Sequence, residues 1–217
     1  MFIGHFATGF ISKKWMPHIS LPVLFITVQW PDLIWPAMLL LGWESVRIEP
    51  GNTVMTPLAF DHYPYSHSLM TNLLVASLFA LWALRRYRDQ RVAALLFITA
   101  CSHWILDFVT HRPDLPLSPG SSQMFGLGWW NIPPVAVVAE LALMAAGIFI
   151  YHRTTRATGK TGVWAFWGLI AFLMIIHTGN LLGPPPPNIT GIALAGNLMW
   201  LFVLWAYWIE KNRTVIK

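Results

Sequence analysis

Charged side chains are scarce in this chain. Asp, Glu, Lys and Arg together make up only 11% of its 217 residues, whereas hydrophobic residues make up 56%. A soluble globular domain carries about 25% charged residues, so this chain has too few of them to cover a water-facing surface. The composition excludes a soluble enzyme and predicts an integral membrane protein. The length fits one domain, residues 1–217, and leaves no room for a second of comparable size.

Cysteine is nearly absent as well. The single cysteine, Cys101, lies inside an apolar run, so no disulfide framework can form. The candidate metal ligands of this chain are His, Asp and Glu side chains, which are nitrogen and oxygen donors.

Long apolar segments define the predicted architecture. A membrane-spanning helix needs roughly 20 mostly apolar residues, and five segments meet this requirement. They are residues 67–84, 92–109, 133–151, 163–183 and 190–210. We therefore predict an all-α, polytopic transmembrane bundle. Its helices between 67 and 151 would carry most of a functional site, and the two spans between 163 and 210 would support them.

Lys and Arg are concentrated in alternate loops. Residues 85–91, 153–160 and 211–217 are basic, whereas residues 42–66, 110–132 and 184–189 are poor in Lys and Arg. The positive-inside rule makes the basic side cytoplasmic, and we expect a bacterial plasma membrane. This distribution also explains the net charge of +5 without a nucleic-acid partner.

The first 45 residues allow two interpretations. Residues 19–41 could form one span, but Pro31 and Pro36 would interrupt it on either side of Asp32. Alternatively, residues 3–13 and 19–30 form a hairpin whose arms are each ~17 Å long, about half a bilayer. We favour the hairpin, which would bring His5 and Asp32 to the same level.

The strongest chemical signal is His103 with Asp107. The two residues are four positions apart, so both side chains project from one face of a helix. A histidine and an aspartate in hydrocarbon are costly and usually functional. His67 would lie at the extracytoplasmic mouth of its own helix, with Ser66 as a natural N-cap. The topology therefore places these donors near one face of the membrane.

Further donors complete a candidate metal site. His5 and Asp32 join His67, His103 and Asp107 as expected ligands. His62 and Glu140 are further possible ones. Zinc suits such donors, although manganese or iron would also fit. More than four ligands would permit two ions with Asp107 between them, an arrangement that favours attack on phosphoesters.

Three residues after this helix could assist catalysis. His111 follows Asp107 by four positions, but it would lie ~12 Å along the axis from His103 if the helix continued. We therefore assign it to a second ion or to the substrate. His111 or Asp114 would shuttle protons. Arg112 would hold a phosphate oxygen or anchor at the lipid headgroups.

These motifs resemble the YdjM-like family of membrane-bound metal-dependent hydrolases. The likeness covers roughly the first half of the chain, and the matching order is distantly similar to the zinc ligands of secreted zinc-dependent phospholipase C. The resemblance implies phosphodiester chemistry at a metal. The residues that carry it are Gly4-His5, Pro31-Asp32, His62, Ser66-His67-Ser68, Ser102-His103, Asp107 and Thr110.

The chain departs from the family pattern at two places. Ile34 and Trp35 replace the second Asp and the His of the acidic stretch, and Tyr63-Pro64 replaces Arg-Gly. These changes remove expected ligands of a second metal. The segment 111–114 offers other polar groups near the same place.

We therefore predict an integral membrane metal-dependent hydrolase. It would use a metal-activated water against a phosphoester of a lipid or lipid-linked substrate, and membrane lipids would be its partners. The alternative is a transporter or proton-coupled channel that uses the same His and Asp residues as a relay. A scaffold with a structural metal site is a third possibility.

Overall fold

The computed structural model describes residues 1–216. Over these residues the fold is a bundle of α-helices with three small antiparallel strand pairs outside them. The helices are α1 (Phe2–Trp15), α2 (Leu21–Leu40), α3 (Pro64–His67), α4 (Leu69–Tyr87), α5 (Gln90–Thr110), α6 (Pro133–Thr154), α7 (Lys160–Leu182), α8 (Ile189–Asn197) and α9 (Trp200–Lys211). The strands are β1 (Ser45–Ile48), β2 (Leu58–His62), β3 (Leu115–Pro116), β4 (Met124–Phe125), β5 (Thr155–Ala157) and β6 (Arg213–Val215), paired β1–β2, β3–β4 and β5–β6.

Within residues 1–216, six helical stretches are long and apolar enough to cross a membrane. Five of them match the predicted spans to within three residues at each end, so the prediction of a helical membrane bundle is confirmed. The sixth is α2, at the N-terminal region that the sequence left open. The last candidate stretch, Ile189–Lys211, comprises α8 and α9.

The N-terminal region is a hairpin with arms of unequal length. Helix α1 has 14 residues, whereas α2 has 20 and remains helical through Pro31 and Pro36. Proline is tolerated in a membrane helix where neighbouring helices bury the freed backbone groups. Here α8 packs closely on α2: a Cβ added to Gly196 of α8 would lie only 2.6 Å from Pro36 Cγ. The second arm is therefore longer than the predicted 19–30.

Helix α1 lies in the middle of the bundle although it is only ~21 Å long. Nine of its residues are buried. Phe6 and Phe10 pack edge-on against Phe25 of α2, and Phe10 also contacts Phe166 of α7. This aromatic core fixes the depth of α1, and with it the position of His5.

The close approach of α1 to α6 depends on one glycine. A Cβ added to Gly147 would lie 2.9 Å from both Cα and the carbonyl oxygen of Ala7. Small residues allow such backbone contacts between membrane helices. Since the neighbour is backbone, the two helices would have to separate to accept any side chain.

The two ends of the bundle are built differently. At one end, β5 pairs with β6, which joins the basic segments around Arg156 and Arg213. Buried Lys13 closes the same end through a 2.6 Å ion pair with Glu210. At the other end, the β1–β2 hairpin, the β3–β4 pair and a 3₁₀ turn (Trp129–Asn131) lie outside the helices. Lys217, the last residue of the basic tail, lies outside the described residues.

We predict that Gly147→Ala lowers the stability of the protein by about 1–3 kcal/mol, the cost of overpacking a tight contact. The matched control is Gly179→Ala in α7, where no heavy atom lies within 4 Å of the added Cβ. The control should be neutral or slightly stabilising, because alanine favours a helix over glycine. Thermal unfolding of the detergent-solubilised variants measures both. Equal melting temperatures would contradict the proposed packing.

Candidate metal centre

Helix α5 supplies the centre of the site. Its N-terminus is capped by Asp89, which accepts hydrogen bonds from the backbone N–H groups of Arg91 and Val92. The helix then runs without interruption to Thr110, so His103 and Asp107 project from the same buried face. Their side chains meet directly, with His103 Nε2 3.0 Å from Asp107 Oδ2.

His5 of α1 joins this pair. Its ring stacks on that of His103, with centroids 3.8 Å apart and an angle of 9° between the planes. His5 Nε2 lies 3.0 Å from Asp107 Oδ1, so the two histidines contact different oxygens of one carboxylate. Ligand atoms of His5, His103 and Asp107 all lie within 4.8 Å of one another, which is close enough to hold one metal ion.

Asp32 and His67 form a second group around the same histidine. His67 Nε2 lies 3.4 Å from Asp32 Oδ1, and His103 Nε2 lies 3.8 Å from the same oxygen. Ligand atoms of Asp32, His67 and His103 again lie within 4.8 Å of one another. His67 Nε2 is also 3.9 Å from Asp107 Oδ2. The structure thus brings all five predicted metal ligands together, with His103 common to both groups.

A hydrogen bond on Nδ1 orients the ring of His103, so that Nε2 could bind a metal. His103 Nδ1 is 2.8 Å from the carbonyl oxygen of Val28. Because a carbonyl only accepts, Nδ1 carries the proton and Nε2 faces the carboxylates. Within residues 1–216, this buried Nε2 has no hydrogen-bond partner of good geometry. Metal-binding histidines are commonly held by a backbone carbonyl in this way.

A buried chain of hydrogen bonds orients His67 as well. Ser66 Oγ donates to Glu44 Oε2 at 2.7 Å, so it accepts from His67 Nδ1 at 2.6 Å. Glu44 Oε1 accepts from the backbone N–H groups of Tyr65 and Ser66, both at 2.8 Å. These bonds fix the imidazole so that Nε2 points to Asp32.

Glu44 is a site residue that the sequence did not reveal. It follows the end of α2 in a loop, and nothing in its spacing links it to a serine 22 positions later. Ser66 was expected to cap the helix of His67, but the N-cap of α4 is Ser68, whose Oγ accepts from Thr71 N–H. The difference arises because Pro64–His67 form a short helix of their own, which frees Ser66 for Glu44.

His111 approaches the cluster because α5 ends before it. The backbone becomes extended at His111, and the side chain turns back so that Nε2 lies 4.0 Å from Asp107 Oδ1. His111 Nδ1 is 2.9 Å from Asp114 Oδ1, to which the Tyr63 hydroxyl also donates at 2.9 Å. Burial and the neighbouring Asp114 carboxylate raise the pKa of Tyr63 well above its ordinary value of 10, so the phenol remains a donor.

Three other predicted residues lie at the edge of this arrangement or beyond it. Arg112 is half-exposed, and its Nε donates to Asp114 Oδ2 at 3.3 Å. His62 is exposed at the end of β2. Glu140 is buried in α6 and accepts from Ile3 N–H at 3.0 Å. Among residues 1–216, neither of the two possible metal-binding groups includes His62 or Glu140, and their roles stay predictions.

One positive charge already lies against the cluster. The amino group of Met1 donates to Asp107 Oδ1 at 2.5 Å. Asp107 therefore contacts an ammonium group as well as the imidazoles of His5 and His103. This contact indicates that the buried carboxylate needs a cation, and a bound metal would have to share or displace it.

Comparisons with known proteins give no family model, no curated protein and no solved structure that matches this chain. The assignment of a function therefore depends on the geometry of the site.

We predict that Glu44→Gln weakens metal binding about 10- to 100-fold, the usual effect of losing an outer hydrogen-bond partner of a metal ligand. The change keeps the size of the side chain and removes the charge that orders Ser66 and His67. Glu49→Gln is the control, because Glu49 is an exposed residue just after β1 that pairs with Arg47. Competition with a chromogenic chelator measures both affinities, and an equal affinity in the two variants would refute the role of Glu44.

Proposed function

We propose that this protein is an integral membrane metal-dependent hydrolase that cleaves a phosphoester of a lipid or lipid-linked substrate. The observation that carries the proposal is the convergence of His5, Asp32, His67, His103 and Asp107. They come from four separate segments of the chain, α1, α2, α3 and α5. Burying two carboxylates and three imidazoles together inside a membrane bundle costs free energy, and such residues are usually kept for a function.

The donor set fits a divalent transition metal. Imidazole nitrogen and carboxylate oxygen are common zinc ligands, and manganese or iron accept the same donors. Both groups include His103, and its Nε2 can bind only one ion because Nδ1 is bonded to the Val28 carbonyl. The groups would therefore suit one ion, and a second would have to be held through the Asp107 carboxylate as a bridge. A bound zinc ion would supply Lewis acidity and would lower the pKa of a coordinated water to about 7.

His111 is the best candidate for moving protons. Its Nε2 faces Asp107, while Asp114 holds Nδ1 and the Tyr63 hydroxyl holds Asp114. A carboxylate in this position fixes the tautomer and stabilises the protonated imidazole, as in other His–Asp pairs. We therefore assign the general acid–base role to His111 and a positioning role to Asp114.

A lipid phosphoester is the substrate class that fits this location. The cluster lies at the end of the bundle opposite the paired basic segments of β5 and β6. If those segments are cytoplasmic, the cluster is near the outer headgroups. The Asp32 side chain is 26% exposed and gives the cluster an opening. Half-exposed Arg112 lies beside His111 and would hold a phosphate oxygen.

The transporter alternative has less support. Transporters commonly bind their substrate at broken helices near the bilayer midplane. The two prolines of α2 were the feature that favoured such a break, and α2 remains helical through both. The donors also gather toward one end of the bundle.

We expect the purified protein to contain about one or two zinc, manganese or iron ions per chain, as two overlapping ligand groups would suggest. Replacing His103 and Asp107 together by alanine should abolish this content, because His103 belongs to both groups. A control with His152 and Asp61 replaced by alanine, a histidine and an aspartate outside the cluster, should retain it. Elemental analysis after detergent purification measures all three proteins. Full metal content in the first double variant would rule out the site.

We also expect His111→Gln to lower phosphoester hydrolysis about 10²- to 10⁴-fold, the usual contribution of a general acid–base, without loss of metal. Turnover is measured on phospholipids in mixed micelles with the metal-loaded protein, and exposed His18→Gln is the control. The transporter would be favoured instead by two results together. The metal-loaded protein would hydrolyse no phosphoester, and it would carry a flux across liposome membranes that persists after a chelator removes the metal.

A further inference from the structure

A separate cleft lies beside the metal centre. Its volume is about 460 Å³, within the range of small-molecule sites. Three parts of the chain form its walls: the loop of residues 50–60, Trp130, and the end of α7 with the following Pro184–Pro186. Its inner end is formed by Phe2, Glu140 and His177.

Two buried ionisable side chains form the polar floor of the cleft. His177 is 4% exposed and Glu140 is 2% exposed. His177 Nδ1 lies 4.0 Å from Glu140 Oε2, so a ligand polar group could contact both side chains at once. In the part of the chain that the structure describes, His177 Nε2 has no hydrogen-bond partner. Buried polar atoms are nearly always paired, so this nitrogen indicates a missing ligand.

The cleft adjoins the metal cluster without sharing its donors. Glu140 accepts from Ile3 N–H in the first turn of α1, and His5, two residues further along the helix, reaches Asp107. On the other side, the ring centroid of Trp130 lies 4.1 Å from that of His111. A ligand held on Glu140 and His177 would thus lie next to the cluster.

We propose that this cleft binds a hydroxylated ligand, a sugar or a polyol, such as the headgroup of a glycolipid or a glycerol unit. A hydroxyl both donates and accepts, so it can pair with His177 Nε2 in either protonation state and donate to the Glu140 carboxylate. Trp130 and Phe60 line the cleft and offer apolar contact for the C–H surface of such a ligand. The binding does not depend on the proposed hydrolysis.

The charge of the cleft disfavours the other headgroup classes. Among the described residues, no Lys or Arg lines it, and Glu140 would repel a phosphate. An ammonium group would pair with Glu140 but would need His177 to be neutral, since a protonated imidazole offers only donors. The hydroxylated ligand is the one that both floor residues accept.

The test uses the full chain in nanodiscs of zwitterionic lipid, without a sugar detergent. Binding of methyl glucoside and of glycerol is measured by saturation-transfer NMR, with methylammonium chloride and inorganic phosphate as competitors. We expect saturable binding of at least one hydroxylated probe and no competition from methylammonium, which has no hydroxyl, or from phosphate. His177→Phe replaces the imidazole by an aromatic ring without nitrogen atoms. It should weaken binding about tenfold or more, which corresponds to the loss of one buried hydrogen bond.

The control is His152→Phe at the opposite end of the bundle, which should bind like the unchanged protein. Metal content and melting temperature show whether each variant is folded. If His177→Phe does not fold, Asn180→Ala at the exposed rim of the cleft replaces it and should weaken binding severalfold. Three outcomes would overturn the proposal: equal binding by the folded variant and the control, effective competition by methylammonium or phosphate, or no saturable binding of either probe.

Discussion

The negative charge of Asp107 is the constraint around which this end of the bundle is organised. Its carboxylate is buried in a membrane helix, where an uncompensated charge is very costly. His5, His103 and the Met1 amino group all contact it directly. Asp32 adds a second carboxylate through its contacts with His67 and His103. Three imidazoles and two carboxylates thus lie close enough together to hold a divalent cation. Hydrogen bonds on Nδ1 already orient the rings of His67 and His103.

The short central helix α1 makes this arrangement possible. Because α1 is only about two thirds as long as a full span and is enclosed by longer helices, its N-terminal turn lies inside the bundle. His5 is therefore placed against α5, and Ile3 against Glu140 of α6. Gly147 lets α6 approach the backbone of Ala7, while the Lys13–Glu210 pair holds the other end of α1. The packing of one short helix thus sets the depth of both the cluster of His and Asp side chains and the adjacent cleft.

Much of the fold could be predicted because long apolar runs are a direct consequence of the bilayer. Helix α2 was harder to predict, since its prolines suggest a break, whereas its continuation depends on packing against neighbouring helices, such as that of α8 against Pro36. The donors His103 and Asp107 were visible as a four-residue spacing in hydrocarbon. Glu44 was not visible, because its link to His67 runs through Ser66 and depends on how a loop folds over the helix ends. The return of His111 to Asp107 likewise depends on where α5 ends.

The metal-edge X-ray absorption spectrum of the purified, metal-loaded protein tests the central claim most directly. It reports the ligand atoms of the ion itself rather than its presence. For zinc, we predict only nitrogen and oxygen neighbours at about 2.0–2.2 Å, with the multiple scattering of several imidazole rings. A spectrum with a sulfur neighbour from Cys101, or that of a hydrated ion with no imidazole, would contradict the claim that these histidines and aspartates hold the metal.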